Sequence, residues 1–267
     1  MQEDRDRRKQ WLSTHCEKIE SHRAFLQRFD GWRLQRWEQL LAQQPESAIV
    51  DACVRDLLAR QTDSLEPFEG PSEGGPDYVC RNADEHFYAE VTCLEEGRVT
   101  RLTSLTPSLP SPHGAQSYSD LTRAILNECV TKARQLQNLD SPCLLFIGTL
   151  HPQASQVCFQ EVQLNDLLTG SEHMERDFDP GKGEAVGPTR VATDLSNAPF
   201  LRFTAQGVEG ARKTISGIVC CGFGWYPPEI RGVLHPEAVR PFNRCLLPNI
   251  PLGRLVQSYN ALRVVWE

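Results

Sequence analysis

The chain has 267 residues, 40% of them hydrophobic and 24% charged, a composition that supports a globular core and excludes a disordered chain. A net charge of −7 and a pI near 5.6 argue against broad electrostatic attachment to nucleic acid, whose usual footprint is a basic domain. No apolar run approaches the ~20 residues of a membrane helix, and no apolar segment follows the charged first residues, so a cytoplasmic protein without membrane contact is expected.

Residues 1–44 are expected to be helical. Trp11, Leu12, Ile19, Phe25, Leu26, Phe29, Trp32, Leu34, Trp37, Leu40 and Leu41 recur at helix-like intervals, with a break near Asp30-Gly31. This stretch reads as a helical extension packed on residues 45–267, or as a surface for a protein partner or a second copy of the chain. Pro45 then suits the start of an amphipathic helix over 46–60, whose apolar face carries Ile49, Val50, Cys53, Val54, Leu57 and Leu58. Helical spacing puts Glu46 inside that face and Asp51 at its edge.

A Gly-, Pro- and acid-rich link over 69–76 leads to Asp77. Two strands are expected at 77–81 and 87–94, joined by the polar turn Asn82-Ala83-Asp84-Glu85. The second strand holds Glu90 in an apolar run, Phe87-Tyr88-Ala89-Glu90-Val91-Thr92-Cys93-Leu94. A carboxylate there is unfavourable unless it meets a partner or a metal, and paired carboxylates such as Asp77 and Glu90 are the usual holders of a hard cation.

Residues 97–117 show no periodicity and read as a long loop. A second amphipathic helix is predicted over 118–138, with Leu121, Ile125, Cys129 and Leu136 as its stripe and Lys132 in the middle. Glu128 and Gln135 flank that stripe. The lysine either snorkels to the surface or reaches a polar site between helix and sheet. A central buried strand is predicted over 142–150, with further strands near 156–162 and 214–223 around an irregular 164–200. The proline-rich tail reads as extended chain over the core.

The ten cysteines contain no C-x-x-C pair. Cys93, Cys143, Cys158 and Cys220 fall in apolar runs and Cys129 on a helix, so they are expected to pack as small hydrophobes rather than bind zinc. His151 reads as a satisfied residue at a strand end. Arg33 and Arg36, Arg98 and Arg101, and Lys132 and Arg134 are candidates for a local basic groove, although most of them read as solvated surface.

The order of helix with an acid, strand with Asp77, strand with Glu90-x-Thr92, helix with Lys132-x-x-Gln135 and buried strand resembles the core of the PD-(D/E)xK nuclease superfamily. The resemblance covers roughly residues 45–150. Pro76-Asp77 matches the "PD", and Glu90-Val91-Thr92 occupies the "(D/E)xK" position. It implies an α/β fold of the restriction-endonuclease-like kind, with a mixed central sheet flanked by helices and an α-β-β-β-α-β order. It also implies metal-dependent hydrolysis of phosphodiesters in nucleic acid, DNA ahead of RNA. Mg²⁺ or Mn²⁺ would be held by Asp77, Glu90 and the Val91 carbonyl. The helix acid, Glu46 or Asp51, would assist, and Glu46 is the expected one. Thr92 stands where the motif has lysine and brings no charge, so Lys132 from the following helix would take over that role, oriented by Gln135. The alternative is a catalytically inactive nuclease-fold protein serving as an interaction or structural module.

Overall fold

The computed structural model describes residues 2–68, 75–107, 115–154, 159–224, 226–258 and 261–267. Four helices open the chain: α1 (Gln2–Thr14), α2 (Cys16–Leu26), α3 (Gly31–Gln43) and α4 (Pro45–Ala59). The break between α2 and α3 falls at Asp30-Gly31, as the spacing predicts. Pro45 occupies the first position of α4, where a missing N–H is harmless. Ile19, Phe25, Leu26, Trp37 and Leu41 share one core with Ile49, Val50 and Val54 of α4 and with Phe87 and Phe146 of the sheet. The extension is therefore continuous with the core of the rest.

The strands that follow are β1 (Ser64–Pro67), β2 (Tyr78–Asn82) and β3 (Glu85–Cys93), an antiparallel meander. Two helices, α5 (Glu96–Thr103) and α6 (Ala115–Gln135), lead to β4 (Cys143–Thr149), which lies parallel to β3 and is buried throughout. Beyond it come α7 (Glu161–Thr169), the hairpins β5 (Ser171–Asp179) with β6 (Glu184–Asp194) and β7 (Leu201–Thr204) with β8 (Gly207–Gly210), then β9 (Gly217–Gly222), β10 (Glu229–Leu234), β11 (Leu252–Ser258) and β12 (Ala261–Trp266). Eight of the described strands form a mixed sheet in the order β1-β2-β3-β4-β9-β10-β11-β12, and the two hairpins form separate two-stranded sheets.

Alternation along β4 divides the core between the two faces of this sheet. Leu144 and Phe146 pack with α2, α3 and α4. Cys143, Leu145 and Ile147 pack with Leu121, Ile125 and Cys129 of α6 and with Leu164, Leu167 and Leu168 of α7. The protein is α/β, a mixed sheet between two helical layers. No helix among the described residues is long and apolar enough to cross a membrane.

Four expectations are corrected. Part of the supposed loop over 97–117 is α5, whose Glu96, Val99 and Thr103 form one buried face. The strand expected at 156–162 overlaps α7, because its three leucines follow helical spacing; residues 155–158, Cys158 among them, lie outside the described residues. The irregular 164–200 contains the β5–β6 hairpin, which is exposed on both faces and so lacks an apolar alternation. The tail supplies β10, β11 and β12 to the main sheet, and its prolines sit between strands rather than within them. Cys53, Cys80, Cys129, Cys143, Cys220 and Cys221 are buried.

Candidate functional site

The site is assembled where β2 and β3 enter the sheet. Tyr78 pairs with Ala89, so one register step beyond it Asp77 stands across from Glu90. Asp77 leaves the ladder there. Its Oδ2 accepts a hydrogen bond from the Val91 N–H at 2.7 Å. Phe87 and Ala89 point to the α4 face of the sheet, so Glu90 and Thr92 point to the α6 face.

On that face α6 matches the two strand residues with its own pair. Lys132 Nζ donates to Glu90 Oε1, and four residues earlier Glu128 Oε2 accepts from Thr92 Oγ1 at 3.3 Å. Gln135 accepts from Lys132 at 3.2 Å and donates to the Gly75 carbonyl at 2.9 Å, tying α6 to the approach to Asp77. The Glu90 side chain is 3% exposed and that of Lys132 21%. Burial would lower the Lys132 ammonium, but attraction to Glu90, the hydrogen bond to it, and the charges of Asp77 and Glu128 outweigh burial and hold it above its ordinary value. It is a standing positive charge, unsuited to act as a base at neutral pH.

Asp51 of α4 reaches the same end of the sheet from the other face. The buried Tyr78 hydroxyl donates to its Oδ1, and His22 Nε2 lies 3.6 Å from its Oδ2. Burial, reinforced by Arg55, pushes the His22 pKa down to about 3, so the imidazole is neutral at pH 7 and the contact is not an ion pair. Asp51 and Asp77 line a cavity of about 430 Å³ together with Val91, Thr92, Arg98 and Glu128. Arg98 pairs with Glu128 at 2.6 Å.

Glu46 is elsewhere. Its Oε2 accepts from the Glu96 N–H at 2.7 Å, capping α5, while Glu96 itself pairs with Arg7. Of the two helix acids, the fold brings Asp51, not the expected Glu46, to the cavity of Asp77. Burial first, and the charge of Glu95 second, push the Glu46 pKa up to about 8, against a partial pull from Arg7. The folded protein thus holds a proton on Glu46 that the unfolded chain releases near 4.5. Its contribution to stability is full below that value and is lost as pH rises through 8. Glu46→Gln keeps the acceptor and cannot ionise. In urea unfolding it should match wild type at acid pH and exceed it by roughly 1–2 kcal/mol at mildly alkaline pH, a figure discounted for partial exposure. A gap independent of pH would contradict this.

His151 is a satisfied strand-end residue, with Nε2 3.3 Å from the Leu105 carbonyl and Nδ1 accepting from Ala154 N–H. Sequence reasoning missed Tyr78 and His22, which reach Asp51 only through tertiary packing. Glu128 had a signal: it sits four residues before Lys132, the spacing that matches two alternate residues of a strand.

The cavity of Asp77 carries the carboxylates of Asp51, Glu95 and Glu128 beside it, hard oxygens of the kind Mg²⁺ and Mn²⁺ take, together with the Arg98 cation. Among the described residues no three His, Cys, Asp or Glu side chains gather closely enough to hold an ion as they stand. The donor chemistry fits such a cation. Comparison of the chain with protein-family models, curated proteins and solved structures gives no match.

Proposed function

We propose that the protein is a metal-dependent nuclease that hydrolyses phosphodiester bonds, built on a restriction-endonuclease-like core. The observation that carries this reading is the contact of Lys132 with the buried Glu90, one register step past the end of the β2–β3 pairing, where Asp77 precedes Tyr78. A lysine at the centre of a core-facing stripe, ending on a carboxylate inside an apolar strand, is a costly arrangement for packing alone. The order α4-β1-β2-β3-α5-α6-β4, with the short α5 added before α6, supports it, because β1, β2 and β3 are antiparallel and β4 is parallel to β3.

Asp77, Glu90 and the Val91 carbonyl would hold Mg²⁺ or Mn²⁺, with Asp51 in the place expected for Glu46. The ion, when bound, lowers the pKa of a coordinated water and offsets charge on the phosphate. The chain's own groups do the rest. Lys132 supplies from the helix the positive charge that Thr92 lacks, and Gln135 fixes its ammonium by bridging to Gly75. The Val91 amide orients Asp77. Arg98 stands in the cavity wall, where a phosphate would pass.

A second reading has its own support. Glu90 is engaged by Lys132 and Thr92 by Glu128, as in a scaffold whose site has closed on itself. Cleavage of labelled single- and double-stranded DNA and of RNA, with Mg²⁺ or Mn²⁺, separates the two. The nuclease is expected to cut only with metal and to lose about 10³-fold or more in Asp77→Ala. Wild type inert on every substrate, and indistinguishable from a folded Asp77→Ala, would assign the chain to the interaction class.

A further inference from the structure

Asp51 and Asp77 also line a second cavity, of about 320 Å³, whose lining does not include Thr92 or Glu128. It lies beneath α3, and its walls include Trp32, Arg33, Arg36, Trp37, His22 and Tyr78. We propose that this cavity is a subsite for one unpaired nucleotide, and that the substrate is a single strand running from it past the two acids. The inference rests on the nucleic-acid reading above, but its binding arm requires no cleavage.

The size selects the occupant. The volume is at the low end of ligand pockets, roughly 300–1,000 Å³, enough for a base with its sugar. A paired base inside a duplex cannot enter a concave pocket without being unstacked. The lining chemistry agrees. Trp32 is half-buried at the cavity, and the Arg33 guanidinium lies 4.9 Å from its ring centroid, so an aromatic surface and a cation share one wall. Aromatic and arginine planes are the usual platforms for unpaired bases.

Arg36, exposed on the same helix, adds a second cation. The one acid of α3, Glu38, pairs with Arg23, and Arg33 pairs with Asp30 at 3.1 Å at the start of the helix. Deeper in the wall, Trp37 packs tilted against the neutral His22, ring centroids 4.6 Å apart, and its buried Nε1 finds no acceptor among the described residues.

The test is fluorescence anisotropy of the 267-residue chain with short labelled DNA and RNA single strands and the blunt DNA duplex, in EDTA at low salt. Either single strand, or both, should bind at least about tenfold more tightly than the duplex. Trp32→Ala should weaken single-strand binding by about 5–150-fold, the range of one base stack, while Trp32→Phe retains most of it. Arg36→Glu, at an exposed position and with its fold checked by circular dichroism, should weaken it too and flatten its salt dependence. Equal affinity for duplex and single strands, no nucleic-acid binding at all, or binding indifferent to Trp32 and Arg36 would overturn the inference. Cleavage that ignores these substitutions would refute the subsite and leave the nuclease standing. Trp32-dependent binding without metal-dependent cleavage would refute the nuclease and leave the subsite.

Discussion

Lys132→Met is expected to remove about 3 kcal/mol of stability near neutral pH and to lower metal-dependent cleavage by about 10²–10³-fold. Methionine keeps the apolar stem of the lysine, so packing on the stripe of Leu121, Ile125 and Cys129 survives and only the ammonium is lost. What remains is a carboxylate 3% exposed beside Leu145, deprived of the cation that offsets its burial. Removing one member of a buried pair is far more damaging than replacing both. Lys132→Met/Glu90→Gln should therefore recover most of the stability and none of the activity. The sign of the pH dependence is fixed as well. The deficit is that of a lost ion pair, so it is greatest where both partners are charged in the wild type and shrinks in acid. Urea unfolding across pH, beside cleavage rates, measures both. A single variant as stable as wild type would show that the contact has no energetic weight, and the case for the site would fall with it.

The elements that carry this chemistry were legible because their periods are strong. Glu90 stands out in β3 since everything around it is apolar, and Lys132 stands out in α6 since Leu121, Ile125, Cys129 and Leu136 define the stripe it interrupts. The first strand of the meander was not legible. Ser-Leu-Glu-Pro is four residues at the sheet edge, partly exposed and closed by a proline. Nor was α5, whose start is capped by a side chain fifty residues upstream in α4. That same contact decides between the two helix acids. Helical spacing puts Glu46 deeper in the apolar face than Asp51, yet the N-terminus of α5 captures Glu46, while Tyr78 and His22 meet Asp51. Local pattern ranks the two acids by face, and tertiary contacts reverse the ranking. The exposed β5–β6 hairpin and the late strands were missed for a plainer reason: neither alternates cleanly between apolar and polar residues.

The placement of Asp51 is expected to depend on a buried glycine of the sheet, Gly148. Gly148 lies in the buried β4 on the face that meets α4, and a Cβ built there would overlap Val50 Cγ1, with Val50 Cγ2 and Cβ at 3.2 and 3.3 Å. Val50 is fully buried and is the residue immediately before Asp51. The close approach of helix to sheet at Gly148 therefore sets how near Asp51 comes to Tyr78 and to the cavity of Asp77. Gly148→Ala should push α4 off the sheet. Overpacking of a filled core costs about 1–3 kcal/mol, and a displacement of about 1 Å at a catalytic group costs on the order of 10²-fold in rate. Val50→Ala removes the methyls that the new Cβ strikes. Gly148→Ala/Val50→Ala should accordingly recover cleavage, although Val50→Ala alone weakens the core by leaving a cavity. Strong positive coupling in this cycle, in unfolding free energy and in cleavage rate together, is the expected result. If the losses simply add, the helix is held by its other contacts and the placement of Asp51 does not depend on this glycine.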